Sequence, residues 1–520
     1  MLARKIPLKR YMILVMTDIT STPIPTKITI ENYHYATLTA EPGIHKLLDK
    51  FLSFKEEGIE FSPKFRNSNW DGVTHLLNKN GKFSLGLVHK IEEFCAEQEI
   101  PLEIVDKRKI VPRNQPLDLI PVLTKQGRTP RDYQLDTVKA AIDSGGRGVC
   151  RLASSAGKSI IISLLTAEYN TTTIIYVIGL DLLNQFHKDM SALFPEEIGY
   201  IGNGVVNIKR INVASIWTLG SALDINKKDL LLEDGQIEEL PTNQADKIKI
   251  NKMLKETQLH IIDECHVSSC STIQTIYKNI TPTYLFGFSG TPFKGTDNDL
   301  LTSSILGKQL ININASTLIR RGVIAKPFIK FVNVPNMGNQ GTTYQEIYKN
   351  YVVENDMRNG LIIAETKKLI DKKYTVLVLF KSIKHGEILK EKFLEAGMNP
   401  EVLSGKDDLD KRDIVKAKIF AGECNLILAS TIFDIGLDVP PLSALVLTGS
   451  GKGFVKALQR VGRVIRGYTS PEGHKKTSAA VVEFYDNCKY LKAHSVRRYN
   501  IYKTEEEFKI IPCESMKKFI

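Results

Sequence analysis

The segment LASSAGKS, residues 152–159, constrains this chain more than any other stretch. Gly157, Lys158 and Ser159 end a phosphate-cradling turn. In such a turn small residues let backbone N–H groups approach a polyphosphate, a lysine neutralises the outer phosphates, and a hydroxyl can ligate Mg²⁺. Ser155 and Ala156 are small enough to belong to the same cradle. The turn works when a buried strand leads into it and a helix N-terminus leaves it facing the anion. Both flanks fit: GVCRLA before it is short and mostly apolar, and SIIISLLTAEY after it reads as a helix. Leu152 stands where the usual G-x-x-x-x-G-K-[ST] pattern has its first glycine, so the rest of the chain has to supply support.

That support lies on both sides. In LHIIDECHVSS, Leu259–Ile262 reads as a buried strand that delivers Asp263 and Glu264 to its end. Asp263 can hold Mg²⁺ through water opposite Ser159, and Glu264 can orient and deprotonate an attacking water. Upstream, TPRDYQLDTVKAAIDSG starts a helix at Pro130 and places Arg131, Tyr133 and Gln134 about 25 residues ahead of Lys158. The planar amide of Gln134 can make paired hydrogen bonds to an adenine edge. TTTIIYVIG, INVASIWTL and YLFGFSGTPF read as further strands, with LDLLNQFHKDM as a helix between the first two. Strands alternating with helices predict a parallel, doubly wound α/β sheet whose ligands sit at the strands' C-terminal ends. The third strand ends in Ser289-Gly290-Thr291, a small polar turn suited to sensing the phosphate state. Residues 222–256 are charged and helical in pattern, and are expected to form a solvated surface insertion.

After STLIRRGVIAKP a second α/β series begins, with a long helical region over TYQEIYKNYVVENDMRNGLIIAETKKLI. Within QRVGRVIR, the i, i+3 spacing predicts that Arg463 and Arg466 share one side of a helix. From there both can reach across a cleft to a γ-phosphate, a role typically worth about 10³–10⁵ in rate.

Residues 1–115 read as a small α/β unit: a hairpin over KITIENYHYATLTA, helices over GIHKLLDKFLSF and LVHKIEEFCAEQ, and turns at Asp71-Gly72 and Asn80-Gly81. Phe61, Lys64, Phe65, Arg66 and Trp70 mix aromatic and basic side chains, a pattern of either core packing or contact with nucleic acid. Residues 106–128 read as a linker, and 491–520 as a short tail, docked or frayed.

These ordered motifs resemble the motor of superfamily 2 helicases: Gln134, GKS, Asp263–His266, Ser289–Thr291, then Ser430, Gly436 and Asp438, then Gln459, Arg460, Gly462, Arg463 and Arg466. The resemblance implies two RecA-like domains in tandem, 116–315 and 316–490, behind a DNA-binding unit over 1–115. It implies ATP and Mg²⁺ as cofactors. Asp438 and Gln459 would join the ATP site, and His266, Ser289 and Thr291 would couple it to movement. Gln185, Ser215, Thr218, Lys381, Ser404 and Ser430 would lie beside one DNA strand, with Lys64 and Arg66 as further DNA contacts. The segments SFKEEGIEFSPKFRNSNWDG, LGLVHKIEEFC and LASSAGKS narrow this to phage recombination helicases that remodel branched DNA. That narrower resemblance implies Holliday junction branch migration, fork regression, D-loop or R-loop unwinding, and annealing. DNA, including single strands and RNA hybrids, and replication or recombination proteins would be partners of a monomer. A double-stranded translocase and a non-catalytic branched-DNA-binding protein are the competing readings.

Composition agrees. A net charge of +12 favours a polyanionic partner. Seven singly scattered cysteines predict a reducing cytoplasm, with neither a disulfide framework nor a zinc site. No apolar run approaches the roughly 18 residues of a membrane span, and MLARKIPLKRYMILVM lacks a signal-peptide core, with Met16 a second candidate start.

Overall fold

The computed structural model describes residues 24–519 apart from 56–58, 60–64, 66, 68, 69, 226–239, 241, 242, 294, 337, 339, 340, 405–408, 431–438 and 450–453. Three sheets organise the described residues. The first has the strand order Lys82–Ser84, Tyr35–Thr39, Lys27–Ile30, Glu103–Asp106. Its hairpin is antiparallel, and Glu103–Asp106 closes the other edge in parallel. Alternation turns Ile28, Ile30, Ala36 and Leu38 inward, where Leu48 of helix Pro42–Phe51 and Ile91 and Cys95 of helix Val88–Glu97 cover them. Trp70 is half-buried and donates from Nε1 to the Val73 carbonyl at 2.8 Å. Phe61, Lys64 and Arg66 lie outside the described residues.

This unit is clamped to the second sheet. Arg147, at the start of the phosphate-loop strand, donates to the Tyr33 carbonyl at 2.6 Å. His34 stacks on Tyr277 with ring centroids 4.1 Å apart, and its Nδ1–H donates to the Ile280 carbonyl at 2.9 Å. Burial lowers the His34 pKa to about 4, so the ring is neutral near pH 7.

The second sheet has eight strands: Val205–Asn207, Ile198–Gly202, Ile211–Ser215, Thr173–Val177, Leu259–Asp263, Tyr284–Ser289, Arg147–Leu152, Gln309–Ile313. All neighbours but the first pair run parallel. The apolar β-branched runs that mark these strands are buried on both faces, as helix-covered parallel strands require. Within the expected surface insertion, helix Gln244–Glu256 is helical as its pattern suggests and mostly solvent-facing, but it is anchored on one side. Asn243 caps it, and Ile250, Met253 and Leu254 are buried against the sheet's outer helical layer.

The third sheet is parallel throughout: Glu401–Leu403, Leu426–Ser430, Val376–Phe380, Ala444–Leu447, Ser478–Asp486, Lys326–Val334, Lys509–Ile511. Residues beyond 490 complete it. Helix Leu491–Tyr502 locks on through Arg498, which pairs with buried Glu483 at 3.0 Å, and the Tyr502 hydroxyl donates to the same carboxylate at 2.7 Å. The helical region expected over 343–370 is broken. Helix Tyr344–Ile347 runs into a π-turn over Tyr348–Val353, and Asn355 then caps a new helix, Asp356–Asp371, by accepting from the Arg358 N–H. All seven cysteines are free thiols, and among the described residues no three His, Cys, Asp or Glu are placed to hold a metal ion. No described helix is long and apolar enough to cross a membrane.

Candidate nucleotide site and nucleic-acid surfaces

The phosphate loop leaves its strand at Leu152 and enters helix Lys158–Tyr169 at Gly157, which has φ +79°, while Ser155 has φ +70°. Gly157 is required twice over, because a Cβ there would also sit 2.3 Å from Gln134 Nε2. Gln134 is buried. Its amide nitrogen donates to the Ala156 carbonyl at 2.9 Å, and its amide oxygen accepts from the Arg131 N–H at 2.8 Å. The Tyr133 hydroxyl donates to the same Ala156 carbonyl, and the Arg131 side chain donates to that hydroxyl, both at 3.1 Å. Gln134 therefore pins the loop from behind and closes its own helix N-terminus.

Polar contacts converge on Glu264. Strand Leu259–Asp263 is buried along its length and ends at this residue, which adopts a left-handed φ of +50°. The Lys158 ammonium contacts Glu264 Oε1 and lies 3.4 Å from Asp263 Oδ1. Glu264 Oε2 accepts from Ser289 Oγ at 3.0 Å and from Gln459 Nε2 at 3.3 Å, and lies 3.2 Å from His266 Nδ1. Ser289 Oγ also accepts from the Thr291 N–H at 3.2 Å. Residues scattered over about 300 positions thus meet at one carboxylate. Burial pushes the Glu264 carboxyl upward, but Lys158 and His266 outweigh it and hold the group far below the usual range. Burial likewise pulls Lys158 down, and its two carboxylates more than restore it. Asp263 stays raised because burial dominates. The cluster therefore presents an ionised carboxylate beside an ionised ammonium.

The residues fit a nucleotide with Mg²⁺. Ser155 Oγ and Thr291 Oγ1 are buried and make no hydrogen bond, and buried Asp263 Oδ1 faces the Lys158 ammonium at 3.4 Å. Carboxylate and hydroxyl oxygens are the donors a hard cation takes, and Ser159 is half-buried at the helix N-terminus alongside.

The third sheet contributes helix Phe454–Val464. It seats directly on the phosphate loop: a Cβ on Gly462 would lie 2.6 Å from Ser154 Cβ and 2.7 Å from its Oγ. Gln459 and buried Arg463 belong to this helix. Arg466 does not, which corrects the expectation of two arginines on one helix side. The helix ends at Val464, where the Ile465 carbonyl is taken by the Ala325 N–H and Gly467 turns against the Val323 carbonyl. Burial lowers Arg466 to about 10, still charged near pH 7. Gly436 and Asp438 lie outside the described residues.

One element escaped sequence reasoning. Glu505, only 4% exposed, accepts from both the N–H and the hydroxyl of Ser316 at 2.9 Å, at the start of linker helix Ala315–Arg320. Its other oxygen is 4.0 Å from Arg151 of the phosphate-loop strand, whose Nε donates to the Gly290 carbonyl at 3.2 Å. The expected tail therefore braces the hinge between the two large sheets. No local pattern in YKTEEEFKI marks this; only the tertiary fold brings it to Ser316.

The expected nucleic-acid contacts divide. Lys381, Ser404 and Ser430 sit at the C-terminal ends of three adjacent parallel strands, with Lys381 exposed. Gln185 is exposed on helix Leu180–Ser191. Ser215 and Thr218 are buried, which corrects their expected exposure to a strand. Ser215 instead caps helix Ile216–Ala222 by accepting from the Trp217 N–H. Lys64 and Arg66 lie outside the described residues.

Known proteins align with this architecture. Residues 25–105 match the family model "DNA helicase UvsW, N-terminal", 128–294 match "Type III restriction enzyme, res subunit", and 360–468 match "Helicase conserved C-terminal domain". The ATP-dependent DNA helicase uvsW of Enterobacteria phage T4 is 25% identical over 507 residues, covering 92% of this chain and 97% of that protein. The chain carries both helicase motor domains and resembles UvsW over nearly its whole length. The DNA 3'-5' translocase XPB2 of Sulfurisphaera tokodaii is 23% identical over 415 residues, covering 72% and 85% of the two chains. The solved S. cerevisiae Dbp5 bound to RNA and ADP BeF3 shares the fold, with a TM-score of 0.51, 12% identity, and coverage of 77% of this chain and 94% of that one. The two large sheets are RecA-like motor domains, and the chain is an ATP hydrolase.

Proposed function

We propose that this ATP-dependent DNA helicase remodels branched DNA, by branch migration, fork regression and the unwinding of D-loops or R-loops. The convergence of Lys158, Ser289, His266 and Gln459 on Glu264 from both motor domains carries the hydrolytic part of the reading, and the match of residues 25–105 to the UvsW N-terminal model supports the branched-DNA part. ATP enters between the sheets, and Lys158 exchanges Glu264 for the β- and γ-phosphates. Glu264 keeps Ser289 and His266, which orient its carboxylate to accept a proton from water. Arg463 and Arg466 close from the second motor domain onto the developing phosphate charge. Bound Mg²⁺, held by Ser159 and through water by Asp263, would neutralise phosphate charge. Because helix Phe454–Val464 rests on the phosphate loop, loss of the γ-phosphate changes how the two domains seat. Lys381, Ser404 and Ser430 then shift against Gln185 along one strand. The clamp through Arg147 and His34 makes the N-terminal unit travel with the first motor domain, so a branch held there is pulled relative to the second.

The test is ATP hydrolysis with single-stranded DNA, duplex and a four-way junction, run beside gels of the junction products. Junction-stimulated hydrolysis with branch-migrated products supports the reading. Stimulation by plain duplex without strand separation supports a double-stranded translocase, the reading favoured by the match to the restriction-enzyme motor model and by the XPB2 relative.

A further inference from the structure

We propose that Tyr490, Tyr344 and Tyr348, with Lys381 and Lys489, form a platform on which unpaired nucleobases stack as a strand passes the second motor domain. The proposal rests on the nucleic-acid motor reading above and adds the element that grips bases rather than phosphates.

The parallel third sheet puts the C-terminal ends of its strands on one edge. Lys381 follows strand Val376–Phe380, Lys489 and Tyr490 follow Ser478–Asp486, and Tyr344 and Tyr348 follow Lys326–Val334. Their rings meet there. The Tyr344 centroid is 6.0 Å from that of Tyr348, 6.3 Å from Tyr490 and 5.7 Å from His494. The Lys381 ammonium stands 5.6 Å from the Tyr348 centroid, and the Lys489 ammonium 5.0 Å from the Tyr490 centroid. Aromatic faces interleaved with ammonium groups suit a single strand, whose bases offer π-faces and whose backbone offers phosphates.

The base of the platform is rigid. Arg358, fully buried, donates to Asp486 Oδ1 at 2.7 Å and to the Thr448 carbonyl at 2.6 Å, tying two strand ends together beneath it. Gly449 leaves room for the Tyr348 hydroxyl, which a Cβ would meet at 2.3 Å.

Tyr490 is the decisive residue. It has φ +65° and ψ −51°, and the Leu491 N–H reaches back to the Lys489 carbonyl at 2.8 Å. That is a three-residue turn of positive φ, which side chains rarely adopt. The residue is 41% exposed. Burial therefore does little to offset the strain, whereas a ligand stacked on the ring would.

The variant Tyr490→Gly removes the ring and suits the backbone, so folding is not put at risk. Full-length protein, wild type and variant, is titrated by anisotropy with oligothymidylate, oligouridylate and an abasic strand of equal length, and thermal midpoints are recorded. We expect a midpoint at least as high as wild type. Affinity for a base-bearing strand should fall roughly 5- to 150-fold, with the abasic strand unaffected. Which of the two base-bearing strands loses more identifies the strand the platform serves. Tyr490→Trp should keep wild-type affinity. Unchanged affinity in Tyr490→Gly, or an equal loss on the abasic strand, would overturn the proposal. Failure of the wild type to bind any of the strands would instead overturn the motor reading beneath it.

Discussion

Gly462→Ala tests how closely the two motor domains must seat. The added methyl would lie 2.6 Å from Ser154 Cβ. An ordinary carbon–carbon contact is about 3.5 Å, so the helix must retreat from the phosphate loop by about 0.9 Å. Ser154 cannot swing away, since the close atom is its Cβ and the loop is pinned behind by Gln134 and Tyr133. Gln459 and Arg463 retreat with the helix. Misplacement of catalytic groups by about 1 Å can cost about 100-fold in rate. We therefore expect kcat for ATP to fall about 10- to 100-fold. Global stability should not fall in step, because alanine in a helix is favoured over glycine by about 1 kcal/mol, which offsets strain at the contact. Steady-state ATPase rates and a urea unfolding curve on the same preparation give both numbers. A kcat within about twofold of wild type, with an unchanged unfolding midpoint, would refute the view that this helix seats on the loop during turnover.

Three further outcomes follow from the structure. Glu505→Gln keeps the shape of the hinge brace but removes its charge from Ser316 and Arg151; urea unfolding should register a loss of about 1–2 kcal/mol, and no loss would mean the brace carries no load. His34, buried and pulled down to about 4, should stay neutral in an NMR titration until well below pH 6. Its folded pKa lies below the unfolded value of about 6.5, so the unfolded chain binds the proton first. Its contribution to stability is complete above that value and is lost as pH falls toward 4. A pKa above 6 would contradict the buried clamp. Lys158→Ala leaves Asp263 and Glu264 buried without their counter-charge. Both carboxyls should then titrate further upward, so stability should decline more steeply with rising pH than in wild type, where only Asp263 is raised, alongside loss of ATP turnover.

Local pattern was enough wherever chemistry and secondary structure coincide. GVCRLA and LHIIDE announced buried strands leading into the site, and both strands end within one residue of where the sequence placed them. Motif order alone put the GKS turn and the Asp263–Glu264 pair into one site, but not the direct ion pairing of Lys158 with both carboxylates. What sequence could not supply was tertiary contact. Gln134 reads as a base-recognising amide, yet one of its bonds goes to the loop and another to its own helix N-terminus. Ser215 and Thr218 read as polar contacts and are buried as a helix cap and its first turn. The 244–256 helix looks solvated because its three buried apolar residues are outnumbered by lysines. Arg466 falls off the helix because packing at Ile465 and Gly467, not spacing, ends it. Glu505 and Tyr490 gave no local signal, since their partners come from other elements.

The central claim is that Glu264 is the base on which both motor domains converge. Single-turnover hydrolysis by Glu264→Gln, with nucleotide and DNA binding measured in parallel, tests it most directly. The account predicts that ATP and DNA still bind while hydrolysis falls by about 10²–10⁴ and junction remodelling stops. DNA-stimulated hydrolysis at the wild-type rate in that variant would contradict it.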